Sequence, residues 1–289
     1  MCRLFGLNAG HTPVHIEYWL EEAPDGVAAE SHRNPDGTGV GWFTADGAPH
    51  LRKQPDPAYR DPAFAAEAKA IDAITVITHV RAATTGHNTV DNCHPFLMED
   101  RLMAHNGGFG DLPAVEREIG DDIRLVRGQT DSERYSAAIA HFTDHHDGDV
   151  SAGITDAANW LARNVPMYSL NCLVATSGNL WALRYPDQRA LHLGRRTLDP
   201  ATGEQAATAW TATGRNSRHR VTATGSSTPT PVVVVASERL DDQMDWRMLD
   251  PGELVHVAPD LTVTSAIAVP DPPRNLVLPA EADPNIDTF

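Results

Sequence analysis

The sequence predicts an α+β fold rich in sheet. Two observations lead there: short β-branched runs recur between clusters of Gly, Asn, Asp and Pro, and only three stretches favour helix. At about 150 residues per domain, 289 residues allow one large domain or two small ones, and neither an internal repeat nor a break in composition marks a second. Residues 4–9 read as the opening strand. Residues 39–44 and 50–53 flank Asp46-Gly47, a hairpin signal because Asp-Gly accepts the backbone of a tight turn. Residues 74–80 are dense in Ile, Thr and Val and predict a central strand, with 102–104 as the next. Residues 170–176 and 180–185 bracket Ser177-Gly178-Asn179, and strands at 191–193, 232–236 and 254–257 complete the set. Helices are expected at 62–71, 132–146 and 154–165. Asp131 or Thr130 caps the second, with Glu133 in its first turn where the helix dipole favours an anion. Two segments read as irregular. Residues 201–231, dense in Thr, Ser, Ala and Gly, are expected to form a mobile surface loop or a lid, and the proline-rich 270–289 an extended strap or a disordered tail.

Composition narrows the function classes. Against 39 acidic residues stand 23 basic ones, a formal net charge of -16, which argues against a nucleic-acid partner because phosphate neutralisation takes a concentrated Lys/Arg surface. The longest apolar runs fall far short of the roughly 20 residues that span a bilayer, and the N-terminus lacks a signal peptide's apolar stretch. The expectation is a soluble, cytoplasmic protein with no membrane partner. Cys2, Cys93 and Cys172 are an odd count at irregular spacing, so neither a disulfide framework nor a metal site is expected, and the latter two read as packing thiols. Neighbouring strands could bring His79, His94 and His105 together, but no His pair at i, i+4 carries the Glu partner of a zinc hydrolase. Neither a metal nor a cofactor is expected.

Cys2 directly follows the initiator Met and is small enough for ordinary Met removal. Processing places a thiol on the residue that bears a free α-amine, whose reference pKa of about 7.7 to 8.0 leaves part of it basic near neutrality. One residue then supplies nucleophile and base. Arg81 ends a predicted strand before a Gly-containing loop, where a guanidinium can grip a carboxylate or simply form an ion pair. Asn106 followed by Gly107 and Gly108 supplies an amide donor and backbone N–H groups, the equipment of an oxyanion hole, although Asn-Gly is also a routine turn. Asp131 at a helix start can bind a substrate ammonium or serve as a plain cap.

These segments occur as Met1-Cys2-Arg3-Leu4-Phe5-Gly6, Asp36-Gly37-Thr38-Gly39-Val40-Gly41-Trp42, residues 79–86, His94-Pro95-Phe96, His105-Asn106-Gly107 and Thr130-Asp131-Ser132-Glu133. In that order and approximate spacing the sequence resembles the class II glutamine amidotransferases, which are N-terminal nucleophile hydrolases. The resemblance is strongest over residues 1 to about 135, and Ala236-Ser237-Glu238 and Leu249-Asp250-Pro251-Gly252-Glu253-Leu254 resemble the closing strands of that family. It implies a four-layer αββα fold with two mainly antiparallel sheets between helical layers, a domain over 1–269 and a tail over 270–289. It also implies cleavage of the γ-glutamyl amide of glutamine or a small γ-glutamyl compound through a thioester, releasing glutamate, with no cofactor. By resemblance Cys2 is the nucleophile, Arg81 and Thr84 hold the α-carboxylate, Asp131 holds the α-ammonium, and Asn106 and Gly107 form the oxyanion hole.

Departures bear on the subclass. Many members of the family have Trp after the Arg and His after the Thr, where this chain has Ala82 and Thr85. Together with the absence of room for an acceptor-binding domain, this makes the chain similar to the stand-alone members. Their relatives cleave γ-glutamyl amides of glutathione-like thiols and of an ergothioneine-pathway intermediate, although the ergothioneine type has His where Leu4 stands. A partner synthase or peptidase subunit stays open, as does the alternative of a non-catalytic, regulatory subunit that binds a partner enzyme.

Overall fold

The structure, a computed structural model, describes residues 2–23, 26–83, 86–198, 210–213, 220–223, 229–240 and 245–278. The chain opens with β1 (Arg3–Asn8) and β2 (Val14–His15), a π-helical turn at Tyr18–Glu22, and α1 (Val27–Ser31). The hairpin β3 (Thr38–Phe43) and β4 (Pro49–Gln54) follows, then α2 (Pro62–Ala68), β5 (Asp72–Ala73) and β6 (Thr75–Val80). Next come β7 (Phe96–Met98), β8 (Arg101–Phe109), α3 (Leu112–Ile119), α4 (Asp131–His145) and α5 (Val150–Asn164). The remainder is strand: β9 (Met167–Thr176), β10 (Asn179–Leu183), β11 (His192–Leu198), β12 (Trp210–Thr213), β13 (Arg220–Ala223), β14 (Thr230–Ala236), β15 (Arg247–Met248), β16 (Glu253–Val257) and β17 (Val263–Ile267).

Two antiparallel sheets dominate, in the orders β15-β11-β14-β1-β6-β3-β4 and β17-β16-β10-β9-β8-β7. This is the expected α+β class with extensive antiparallel sheet. As the run of β-branched residues predicts, β6 is central, flanked by β1 and β3. The valine run of β14 shows why it is continuous: Val232 and Val234 face one buried cluster while Val233 and Val235 face another, so both faces of the strand are apolar. That second cluster is shared by the two sheets, with Leu4, Ile77 and Val235 from one and Leu102, Leu173 and Val255 from the other. The outer face of the seven-stranded sheet packs Leu7 and Val76 with Trp19, Val27 and Phe64. The outer face of the six-stranded sheet packs Val174 and Leu183 with Tyr135, Ile139, Ile154 and Leu161 of α4 and α5. Each fully buried Leu or Ile contributes about 1.5 to 3 kcal/mol.

Three sequence expectations are corrected. The strand expected at 102–104 runs to Phe109, so Asn106-Gly107 lies inside β8 rather than in a turn. The segment 201–231, expected as a loop, contains the paired strands β12 and β13, and its other residues up to 228 lie outside the described residues. Helix α3 escaped the pattern although Asp111 caps it and Gly120 ends it with positive φ. From the tail, residues 270–278 run along α5 and β9 with a turn at Arg274-Asn275, the Arg274 N–H donating to the Ala162 carbonyl and the Val277 N–H to the Met167 carbonyl. Among the described residues, no helix is long and apolar enough to cross a membrane.

Candidate active site

Cys2 sits just before β1, whose Arg3 is in register with Val80 of β6. Strand pairing therefore sets Cys2 beside the residues that follow β6. The Ala82 N–H donates to Cys2 Sγ at 3.3 Å, and the Ala82 carbonyl lies 3.4 Å from the same sulfur as acceptor for the thiol. Both contacts are to backbone, so the thiol's surroundings do not depend on the side chain at 82. Cys2 is partly exposed, whereas Cys93 and Cys172 are buried. Burial raises the Cys2 thiol above its ordinary value, opposed by the Ala82 N–H and by the charge of Arg81.

The candidate oxyanion donors are on the other sheet. Asn106 is 6% exposed, opposite Asn171 in the β8-β9 ladder, and its Nδ2 donates to Ser237 Oγ at 3.5 Å. Ser237 Oγ in turn accepts from the Leu4 N–H at 3.0 Å. A single hydroxyl at the end of β14 thus ties the strand behind Cys2 to the strand that carries Asn106. Sequence reading placed Ser237 in a closing strand and assigned it no role; nothing in the local pattern signals a contact across 131 residues. Gly107 is required by close approach: a Cβ there would lie 1.8 Å from the Ser169 carbonyl oxygen. The turn alternative for Asn106-Gly107 is therefore excluded by the ladder itself.

Of the residues proposed for the two ends of a substrate, Arg81 and Asp131 lie among the described residues. Arg81, buried at the end of β6, donates from Nη1 to Asn88 Oδ1 at 2.9 Å and to the Asp36 carbonyl at 3.5 Å. Thr84 and Thr85 lie outside the described residues. The loop past them is braced to the start of α4: Asn92 Oδ1 accepts from the Gln129 N–H at 2.8 Å, and Gln129 Oε1 accepts from the His87 N–H at 3.3 Å. At the helix itself, Thr130 is the cap, its Oγ1 accepting from the Glu133 N–H. Glu133 reaches back to the N–H groups of Arg127 and Gly128. Of the two caps the sequence allowed, the structure takes Thr130, which leaves the Asp131 carboxylate to other partners: its Oδ2 accepts from the Phe109 N–H at 3.2 Å. Burial raises the Asp131 carboxyl, opposed first by His105. Through their charges Arg81 lowers and Asp131 raises the Cys2 thiol.

The three histidines do come together. The rings of His79 and His94 stack at 4.0 Å, and His94 Nδ1 accepts from the His105 N–H. His105 is held between Ser132 Oγ at 2.9 Å and the Ser169 carbonyl at 3.0 Å. Burial pushes His79 down to about 3 and lowers His94 and His105 as well. Among the described residues, no group of three His, Cys, Asp or Glu side chains could hold a metal ion. The two other thiols are driven up by burial, Cys93 to about 11 and Cys172 to about 12.

Known proteins share this architecture. A solved structure of a glutamine aminotransferase class-II domain protein from Silicibacter pomeroyi aligns with 92% of this chain and 98% of its own, at a TM-score of 0.61 and 20% identity. The glutamine phosphoribosylpyrophosphate amidotransferase of B. subtilis aligns with 95% of this chain and 51% of its own, at a TM-score of 0.63 and 17% identity. In sequence, the probable glutamine amidotransferase DUG3 of Saccharomyces cerevisiae is 29% identical over 165 residues, 50% of this chain and 45% of that protein. The chain spans about half the length of such named relatives. The family model for "Glutamine amidotransferases class-II" matches residues 1–272, and the chain therefore belongs to the class II glutamine amidotransferase family.

Proposed function

We propose that the protein is an amidohydrolase that cleaves the γ-glutamyl amide of glutamine or of a small γ-glutamyl compound through a thioester on Cys2. The carrying observation is the Ser237 hydroxyl, which joins Leu4, two residues past Cys2, to the Asn106 amide of the facing sheet. In this reading the sheets and helices form the four-layer αββα order of N-terminal nucleophile hydrolases, supported by the cluster shared between the sheets and the two outer clusters.

Because burial raises the thiol, little thiolate is present at rest, and attack needs a base. The α-amine of Cys2, freed by removal of Met1, fills that role. Sulfur bonds to the γ-carbon as the amine takes the thiol proton, and the carbonyl oxygen becomes an oxyanion facing Asn106 Nδ2 and the Gly107 N–H. The carbon–nitrogen bond breaks as that proton passes to the leaving amine. Water then adds to the thioester, the carbon–sulfur bond breaks, and glutamate leaves. At the head of the substrate, Arg81, with Thr84, matches the α-carboxylate. Asp131 matches the α-ammonium, whose charge pulls the buried carboxyl back toward its ionised form. Incubation with glutamine, glutathione and other γ-glutamyl compounds, with glutamate release as the readout, tests the reading. Glutamate from at least one compound is expected, and none from any contradicts it.

A further inference from the structure

We propose that Arg3 is a positioning residue that holds the nucleophile by its main chain. The inference rests on the reading of Cys2 as nucleophile. Arg3 Nη1 donates to the Cys2 carbonyl at 3.2 Å. The same guanidinium presents Nε to Glu30 Oε2 at 3.4 Å and Nη2 to the Glu238 carboxylate. Glu30, on α1, is buried, and its other oxygen accepts from Arg33 Nη1 at 2.7 Å, so this carboxylate is fixed on both sides. Glu238 directly follows Ser237, the residue that joins Leu4 to Asn106.

A guanidinium is planar, with donors in a rigid fork, so anchoring two of its edges determines where the third points. Here the third edge points at Cys2. Cys2 is therefore held at two points, at sulfur by Ala82 and at its carbonyl by Arg3. The thiol and the α-amine belong to one residue, so the direction of attack is set by the orientation of that whole residue. Without the carbonyl anchor, rotation about the Cys2 backbone moves sulfur and amine together away from the oxyanion donors.

Arg3→Met keeps the aliphatic stem and removes the donors. It is expected to lower kcat on the order of 100-fold, the scale of a small misplacement of reacting groups, with KM within about twofold because Arg81 and Asp131 are untouched. Arg3→Lys retains the charge without the fork and should stay closer to the Met variant than to the parent. Alkylation by iodoacetamide, read cysteine by cysteine by mass spectrometry, supplies a second measurement independent of turnover. Release of Cys2 should speed its labelling several-fold while buried Cys93 and Cys172 remain protected. Equal acceleration at all three cysteines means general destabilisation and overturns the proposal, as does unchanged Cys2 labelling or an effect confined to KM. If the parent releases no glutamate from any compound, the functional reading fails, and the cysteine-resolved labelling still decides whether Arg3 holds Cys2.

Discussion

The β8-β9 ladder places two asparagines opposite each other, Asn106 and Asn171, in very different circumstances. Asn171 accepts from the Tyr185 N–H and donates to the carbonyls of Arg189 and Ala190, so its amide is consumed in closing a loop. Asn106 donates through one long bond to Ser237, which leaves its Nδ2 capacity to spare. The neighbouring thiols differ in the same way. Cys172 is buried beside Tyr135 with its thiol pushed up to about 12, whereas Cys2 is partly open and bracketed by a backbone N–H and carbonyl. Identical residue types thus serve packing in the interior of β9 and, in the proposed function, chemistry at Cys2 and Asn106, and the difference is access and unspent hydrogen-bonding capacity.

Exchanging the two cysteines should break the comparison most sharply. Cys2→Ser is expected to lower turnover by several orders of magnitude, up to the roughly 10⁶-fold seen when a covalent nucleophile is removed. Cys172→Ala should cost about 1 kcal/mol of stability for the small cavity it leaves and about 1 to 3 kcal/mol for the buried Tyr135 hydroxyl it leaves unpaired, with turnover of the folded protein unchanged. Steady-state kinetics and thermal melts on the same preparations separate the two. The asparagines come next. Asn106→Ala should reduce kcat about 100- to 1000-fold, or about 2.7 to 4 kcal/mol of transition-state stabilisation, with KM little changed. Asn171→Ala should instead lower the melting temperature, since each buried group left unpaired costs about 1 to 3 kcal/mol. At α4, Asp131→Asn should weaken substrate capture, seen as a raised KM, and leave the cap intact. Thr130→Ala should do the reverse, losing about 1 kcal/mol of stability.

A further test is pH, which acts on the buried histidines. His79 falls from its ordinary 6.5 to about 3 on folding, so between those values the unfolded chain binds a proton that the folded chain refuses. Its contribution is complete above pH 6.5 and is lost as pH falls toward 3, and His94 and His105 act in the same direction. Asp131 runs the other way: its raised carboxyl favours the folded state at low pH, a contribution lost as pH climbs past 3.8. Melting temperature should therefore drop between pH 7 and pH 4, and His79→Phe should flatten that slope.

Much of the frame was legible because local chemistry and tertiary demand agree: the Asp46-Gly47 hairpin, the β-branched run of β6 and the valines of β14 read directly from their residues. Legibility failed where a local signal competes with a distant contact. Asn106-Gly107 carries the signature of a turn, but the glycine is there because the Ser169 carbonyl leaves no room for a Cβ. Thr130 and Asp131 are equally good caps by residue type, and only the Phe109 N–H, supplied from β8, separates them. Ser237, Arg3 and the Asn92–Gln129 brace join segments far apart in the chain, and no window of the sequence contains both partners.

The central claim concerns a covalent bond, and the most direct test is to trap it. Protein turning over its best γ-glutamyl substrate should be quenched rapidly in acid, digested, and its cysteine peptides weighed. The expected result is one added γ-glutamyl group on the peptide that begins at Cys2 with a free α-amine, and none on the peptides bearing Cys93 or Cys172. Turnover by protein that still carries Met1, or an adduct on Cys93 or Cys172 in place of Cys2, would contradict it.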